Sequence, residues 1–150
     1  MGYRSQVKIV VSKKGFYELK KYVESKAKEI LEKLPGGADY GYDFNLLRNS
    51  DYIKIAGDTV IVSWNDIKWY EGSYDEVDAI MDGLNKILNE GYSYRYYRVG
   101  EEYGDIDVTE LDGKKKENLD YLYVARYIED PDMACEEKKY EDFDNLNGGI

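Results

Sequence analysis

The sequence predicts an α+β protein in which an antiparallel sheet carries two helices on one face. Three observations support this class: two amphipathic helical stretches, several short stretches rich in β-branched and aromatic residues, and a tight-turn signal between two of those stretches. In chain order the elements read strand, helix, strand, strand, helix, strand. This is the order of a ferredoxin-like βαββαβ sandwich, here with one or more extra C-terminal strands. Another α+β sheet built from the same elements is the alternative.

The first strand and the first helix come from the opening third of the chain. Alternating apolar residues over Tyr3–Val11 indicate a strand, and Ser12 suits the N-cap of a helix. Apolar residues at spacings of three and four predict that helix over about Lys13–Leu34. A Pro-Gly-Gly run at residues 35–37 then ends it.

A hairpin and a second helix follow. Residues 52–56 and 59–64 are typical strand sequences, and the Gly57-Asp58 pair between them suits a primed turn. Ser73 and Glu76 have the spacing of a capping box, which predicts that the second helix starts at Ser73. Its apolar stripe runs to Gly91, which is the residue type that ends helices.

The remaining chain divides into the end of the core and an extension. Tyrosine-rich residues 92–99 and residues 105–111 read as strands, which completes a core domain over residues 1–110. Residues 111–150 form an acidic C-terminal extension. Within it we expect a strand at about residues 119–128 and then a mobile tail, because the tail has many acids and few apolar residues.

The composition argues against an enzyme. The chain has no histidine and one cysteine, which excludes Ser-His-Asp and Cys-His catalysis, histidine zinc sites and an internal disulfide. It also lacks the glycine-rich phosphate-binding loop of nucleotide hydrolases. We therefore predict no catalytic residues, no metal site and no cofactor.

The charge points to a protein partner. The net charge is −10, which works against direct binding of a nucleic acid. The first 34 residues carry a net charge of +5, so the acidic excess belongs to the rest of the chain. It is concentrated in residues 66–82, 101–112 and 129–144. The sequence has no apolar run near 18 residues and no signal-peptide pattern, so we expect a cytoplasmic protein without membrane contact.

Two loops combine these acids with aromatic side chains, which suits a protein interface. The candidate partner-binding residues are Trp69, Tyr70, Glu71, Tyr74, Asp75, Glu101, Glu102, Tyr103 and Asp105. The competing interpretation is structural: Trp69 packs at the edge of the core, and the acids form a solvated turn.

Three motifs give the chain a resemblance to a known group. They are GYRS in residues 2–5, DIKWY in residues 66–70 and RVGEEYGDI in residues 98–106. In this order they resemble small phage and prophage proteins of unsettled function, over about residues 1–110. The resemblance implies a protein of a mobile element that is expressed in the cytoplasm of a bacterial host.

Together, charge and resemblance lead to two function hypotheses. The first is a non-enzymatic, phage-encoded inhibitor of a bacterial defence system, such as an anti-CRISPR protein. It binds a basic or nucleic-acid-binding host protein. As in a DNA mimic, its carboxylates would occupy the positions that phosphate groups take in the natural complex. The alternative is a small-ligand or nucleotide-sequestering phage protein, a homo-oligomer whose interface pocket is lined by tyrosine and arginine.

Overall fold

The computed structural model describes residues 2–36, 41–119, 123–124, 128–129 and 136–144. The helices are α1 (Lys13–Glu32) and α2 (Asp75–Asn89), and a turn of 3-10 helix covers Tyr140–Phe143. The strands are β1 (Ser5–Ser12), β2 (Tyr52–Ala56), β3 (Thr59–Ile67), β4 (Tyr94–Gly100), β5 (Ile106–Leu111), β6 (Tyr123–Val124), β7 (Ile128–Glu129) and β8 (Glu136–Lys138). The predicted α+β class, with an antiparallel sheet and two helices, is confirmed.

Six strands form the main sheet, in the order β5-β4-β1-β3-β2-β8. Every neighbouring pair in it is antiparallel. The sheet differs from a four-stranded ferredoxin-like sheet because β5 extends it beside β4 and β8 extends it beside β2. The two added strands therefore lie at opposite edges of the sheet.

Both helices pack on the same face of this sheet. Alternate residues of β1, among them Val7 and Ile9, are fully buried against Phe16 of α1 and Ile80 of α2 in one core cluster. The apolar stripe of α1 is fully buried only as far as Val23. The later apolar residues of the stripe are partly exposed.

The opposite face of the sheet has a smaller buried cluster. Val10, Ile61 and Tyr97 pack there with Leu119, which brings the start of the extension across the sheet. The predicted strand over residues 119–128 is split where it is described, because β6 pairs with β7 in a separate two-stranded sheet. Residues 120–122 and 125–127 lie outside the described residues.

Part of the predicted tail packs on the body of the protein. β8 pairs with β2, and Tyr140 and Phe143 are buried in the main core. The ring of Phe143 makes an edge contact with Phe16, with 4.6 Å between the centroids. These two aromatic residues anchor residues 136–144 to the core. The other residues of the tail lie outside the described ranges.

A buried lysine adds polar contacts to this C-terminal segment. Lys20 of α1 is only 4% exposed, and its ammonium lies 2.6 Å from Asp144 and 2.9 Å from Glu24. Glu24 also accepts a hydrogen bond from the hydroxyl of Tyr140 at 2.9 Å. Burial of this ammonium is tolerated because two carboxylates surround it.

The predicted start is confirmed for α1 and is wrong for α2. Ser12 is the N-cap of α1, as predicted, and its hydroxyl accepts a hydrogen bond from the Gly15 amide at 3.0 Å. The predicted capping box at Ser73 is wrong, because α2 starts two residues later, after Tyr74. Ser73 lies in a turn instead, with its amide bonded to the carbonyl of Tyr70.

Candidate protein-binding surface

The three motif stretches come together at one end of the sheet. Ser5 at the start of β1 pairs with Ile67 at the end of β3 and with Gly100 at the end of β4. We call the residues 2–5, 66–70 and 98–106 the motif cluster. Its members are distant in sequence and are joined by contacts of the N-terminal segment.

Tyr3 makes the central contacts of the motif cluster. Its amide donates a hydrogen bond to the hydroxyl of Tyr70 at 2.7 Å. Its own hydroxyl donates to the carboxylate of Asp105 at 2.6 Å and accepts from the amide of Glu102 at 3.0 Å. A single residue therefore connects the loop after β3 with the turn between β4 and β5.

Arg4 makes further contacts between the same elements. Its amide donates a hydrogen bond to the carboxylate of Glu101. Its guanidinium donates to the carbonyl of Asp66 at 3.3 Å. Gly2 lies so close to the Tyr70 hydroxyl and the Lys68 side chain that a β-carbon there would require one of them to move.

Asp105 is held by an ion pair as well as by Tyr3. The guanidinium of Arg98 donates two hydrogen bonds to its carboxylate, at 2.9 and 3.1 Å. These bonds from Arg98, followed by the bond from Tyr3, lower the pKa of Asp105 to about 2. Asp105 is therefore ionised at neutral pH and fixed in place.

Gly100 is required by the same arrangement. A β-carbon on Gly100 would overlap the Asp105 carboxylate and the Tyr3 hydroxyl. The absence of a side chain at this position leaves the space in which these two groups meet. Tyr3, Arg98 and Gly100 were not among the predicted site residues, although their position inside the motifs was a usable signal.

Trp69 does not contribute to an exposed surface. It is 5% exposed and packs in the core against Trp64, with ring centroids 5.1 Å apart. This supports the structural interpretation of Trp69 over the partner-binding one. Its indole nitrogen has no hydrogen-bond partner among the described residues.

The other candidates in the first loop remain accessible. Tyr70 and Tyr74 are half-buried with ring centroids 5.1 Å apart, and Glu71 and Asp75 are exposed. Glu71 accepts a hydrogen bond from the buried hydroxyl of Tyr96 at 3.1 Å. Burial and this carboxylate raise the pKa of Tyr96.

The candidates in the second loop are mostly exposed. Glu101 and Glu102 are exposed, Tyr103 is 85% exposed, and Asp105 is half-buried. Residues 101–106 and residues 66–70 meet at the motif cluster, and the latter carry one acid, Asp66, and one lysine, Lys68. Residues 136–144 of the third acidic stretch do not join them, since β8 lies on the opposite edge of the sheet.

The cavity beside this surface is small. It has a volume of about 200 Å³ and is lined in part by Arg4, Tyr42 and Tyr74. These are the residue types expected in the ligand-binding alternative, but ligand pockets usually exceed about 300 Å³. The hydroxyl of Tyr42 is already bonded to Glu76, and burial and that carboxylate raise its pKa to about 12.

The acids of the described residues are not grouped as metal ligands. Within these ranges, no cluster of three or more Asp, Glu, His or Cys side chains is placed to hold a metal ion. Nor does any helix in the described part of the chain have the length and apolar character needed to cross a membrane. What the surface offers is exposed carboxylates and a tyrosine ring on a firmly held turn.

Comparisons of the chain with protein-family models, with curated proteins and with solved structures find no match. The resemblance to small phage proteins therefore still rests on the three motifs.

Proposed function

We propose that the protein is a non-enzymatic inhibitor of phage origin that binds a basic host protein through the acidic and aromatic surface at the motif cluster. The observation that carries this proposal is that the acidic turn at residues 101–105 lies beside the loop after β3 and is fixed by Tyr3, Arg98 and Asp105. A fixed turn presents Glu101, Glu102 and Tyr103 at a small entropy cost on binding.

The chemistry of the surface indicates the kind of partner. Residues 101–112 contain six acids and no lysine or arginine. Such a surface attracts a basic partner and accelerates the encounter with it. Basic surfaces of this kind are common on proteins that bind nucleic acids, and so the inhibitor would block access of the nucleic acid.

The motif resemblance supplies the biological setting. A phage protein that occupies a nucleic-acid-binding host protein would act against a defence system, and an anti-CRISPR role is the most concrete form. We propose in addition that the four inner strands of the sheet and the two helices form a ferredoxin-like unit. The order β4-β1-β3-β2 and the two helices on one face support that assignment.

A pair of charge-reversed variants tests the surface. The test variant is Glu101→Lys/Glu102→Lys. The control is Glu136→Lys/Glu137→Lys on β8, which changes the net charge equally on the opposite edge. Each variant and the unchanged protein is used as bait in a bacterial lysate at increasing salt concentrations.

We expect the unchanged protein and the control to retain one dominant basic protein, whose recovery falls as salt rises. The test variant should retain at least tenfold less of it. The unchanged protein should also prevent the recovered partner from binding its nucleic acid. Equal losses in both variants, or a recovered partner that still binds nucleic acid, would show that the proposal is wrong.

A further inference from the structure

Among the residues that the structure describes, the backbone groups on the outer side of β5 have no strand partner. β5 pairs with β4 over six residues, and no described strand pairs with its other side. The amide of Gly100 donates to the carbonyl of Asp105 at 2.8 Å, which sets the alternation of the ladder. Residues 107, 109 and 111 therefore direct their backbone groups to β4, and residues 108 and 110 direct theirs outward.

The side chains of β5 add exposed apolar area to this edge. Ile106 and Val108 are 41% and 44% exposed and lie on the sheet face that also carries Tyr97. Asp107 and Thr109 alternate with them on the helix-bearing face. β5 contains no lysine and no proline, the residues that commonly protect an edge strand from pairing.

The charge at this edge disfavours a second copy as its natural occupant. Two antiparallel copies of β5 would bring together twice the six acids of residues 101–112, of which Asp105, Glu110 and Asp112 lie within 4.0 Å of an arginine of β4. Like charges that face each other across strands destabilise the pairing. A strand that carries lysine or arginine opposite Asp107 would be stabilised instead.

The edge is continuous with the motif cluster. Asp105, held by Arg98 and Tyr3, is the residue that precedes β5, so the start of the strand is fixed in position. The opposite edge is a poorer acceptor, because β8 has only three residues and includes Lys138. Both features favour β5 as the edge that binds a partner strand.

We infer that β5 accepts, by strand addition, an extended segment of a partner protein in which basic and apolar side chains alternate. The apolar side chains lie beside Ile106 and Val108, and the basic ones face Asp107. This inference rests on the proposed function, since it specifies how the basic partner binds.

The inference is tested with a synthetic strand. The probe is a blocked decapeptide of five Lys-Val repeats, and the control is the peptide of five Glu-Val repeats. Hydrogen exchange is measured by NMR. We expect the Lys-Val peptide to slow exchange of the Val108 and Glu110 amides at least tenfold at saturation, with little change at residues 136–138. Equal slowing at both edges, no slowing at β5, or equal binding of the Glu-Val peptide would overturn the inference.

Two variants separate backbone pairing from side-chain contact. Val108→Pro removes an outward amide and leaves the bonds to β4, so it should weaken binding of the Lys-Val peptide at least tenfold. Val108→Thr keeps the amide and should weaken binding less than threefold. If Val108→Pro does not fold, Ile106→Lys takes its place, since the added positive charge should also weaken binding tenfold. Full binding by the folded test variant would overturn the inference.

The two proposals fail in distinguishable ways. If Glu101→Lys/Glu102→Lys loses the host partner while Val108→Pro retains it, the proposed function stands and strand addition is wrong. If the Lys-Val peptide protects β5 but no host protein is inhibited, strand addition stands and the proposed function is wrong.

Discussion

Tyr3 shows how one side chain can determine the shape of a surface. Its amide and its hydroxyl together contact Tyr70, Asp105 and the backbone of Glu102. A phenylalanine at this position would keep the ring and lose the two hydroxyl contacts. The turn from Glu101 to Gly104 would then be held by the ladder between β4 and β5, by the Arg98–Asp105 ion pair and by the Arg4 amide bond to Glu101.

The ion pair beside Tyr3 gives a pH-dependent prediction. Asp105→Asn should lower the free energy of unfolding by about 1 kcal/mol at neutral pH, because a pair that is partly exposed is screened by solvent. The pKa of Asp105 is lowered from 3.8 to about 2 in the folded protein. Its stabilisation is therefore complete above about pH 4 and is lost as the pH falls through 2.

Urea unfolding of both proteins at several pH values measures this difference. Asp107→Asn is the matched control, since Asp107 lies on the same face two residues later, and we expect a change below about 0.5 kcal/mol. A difference for Asp105→Asn that does not shrink towards pH 2 would contradict the role given to its ionised form.

At the scale of single elements, the starts of the two helices show what local sequence can and cannot determine. Ser12 ends β1 and caps α1, so one residue ends a strand and begins a helix. At α2 the favourable pattern around Ser73 is not used. The carboxylate of Asp78 accepts a hydrogen bond from the Gly72 amide at 2.7 Å instead, and the loop is held by this contact.

The two serines give a paired prediction. Ser12→Ala removes the acceptor for the Gly15 amide and should lower the free energy of unfolding by about 1 kcal/mol. Ser73→Ala should change it by less than about 0.5 kcal/mol, because the Ser73 side chain caps no helix. Chemical denaturation of the two variants under one set of conditions checks both values. A larger loss for Ser73→Ala would show that the predicted capping box forms in solution.

At the scale of the whole molecule, the C-terminal segment is part of the core. Phe143→Ala should lower the free energy of unfolding by about 3 kcal/mol, because it leaves a cavity beside Phe16. It should also speed hydrogen exchange between β2 and β8 more than between β1 and β3. Phe143→Leu is the control, with an expected loss of about 1 kcal/mol. Equal acceleration throughout the sheet would show that the segment does not unfold separately.

The sequence was sufficient for the elements whose signals are local. The alternation of apolar residues in β1 and the Gly57-Asp58 turn predicted the antiparallel sheet. The apolar stripe of α1 predicted the first helix. It was insufficient where contacts join distant residues. Tyr3 meets Tyr70 and Asp105 across 67 and 102 residues, and no local pattern predicts such pairs.

The same reason explains the differences at Trp69 and in the extension. A tryptophan in a polar loop reads equally well as a binding residue or as part of the core, and here Trp64 and Tyr96 decide the matter by packing on it. Tyr140 and Phe143 lie among acidic residues, and the composition of this segment is typical of disorder. Their burial depends on α1, more than 100 residues earlier.

The unequal edge strands have a consequence for the size of any complex. A filament grows when one edge of a subunit pairs with the other edge of the next. Here both edges carry acids, and β8 offers only three residues to β5 of a neighbour. Head-to-tail polymerisation is therefore disfavoured. A partner strand seated on β5 would occupy the longer of the two edges, which favours binding of one partner over chain-to-chain growth.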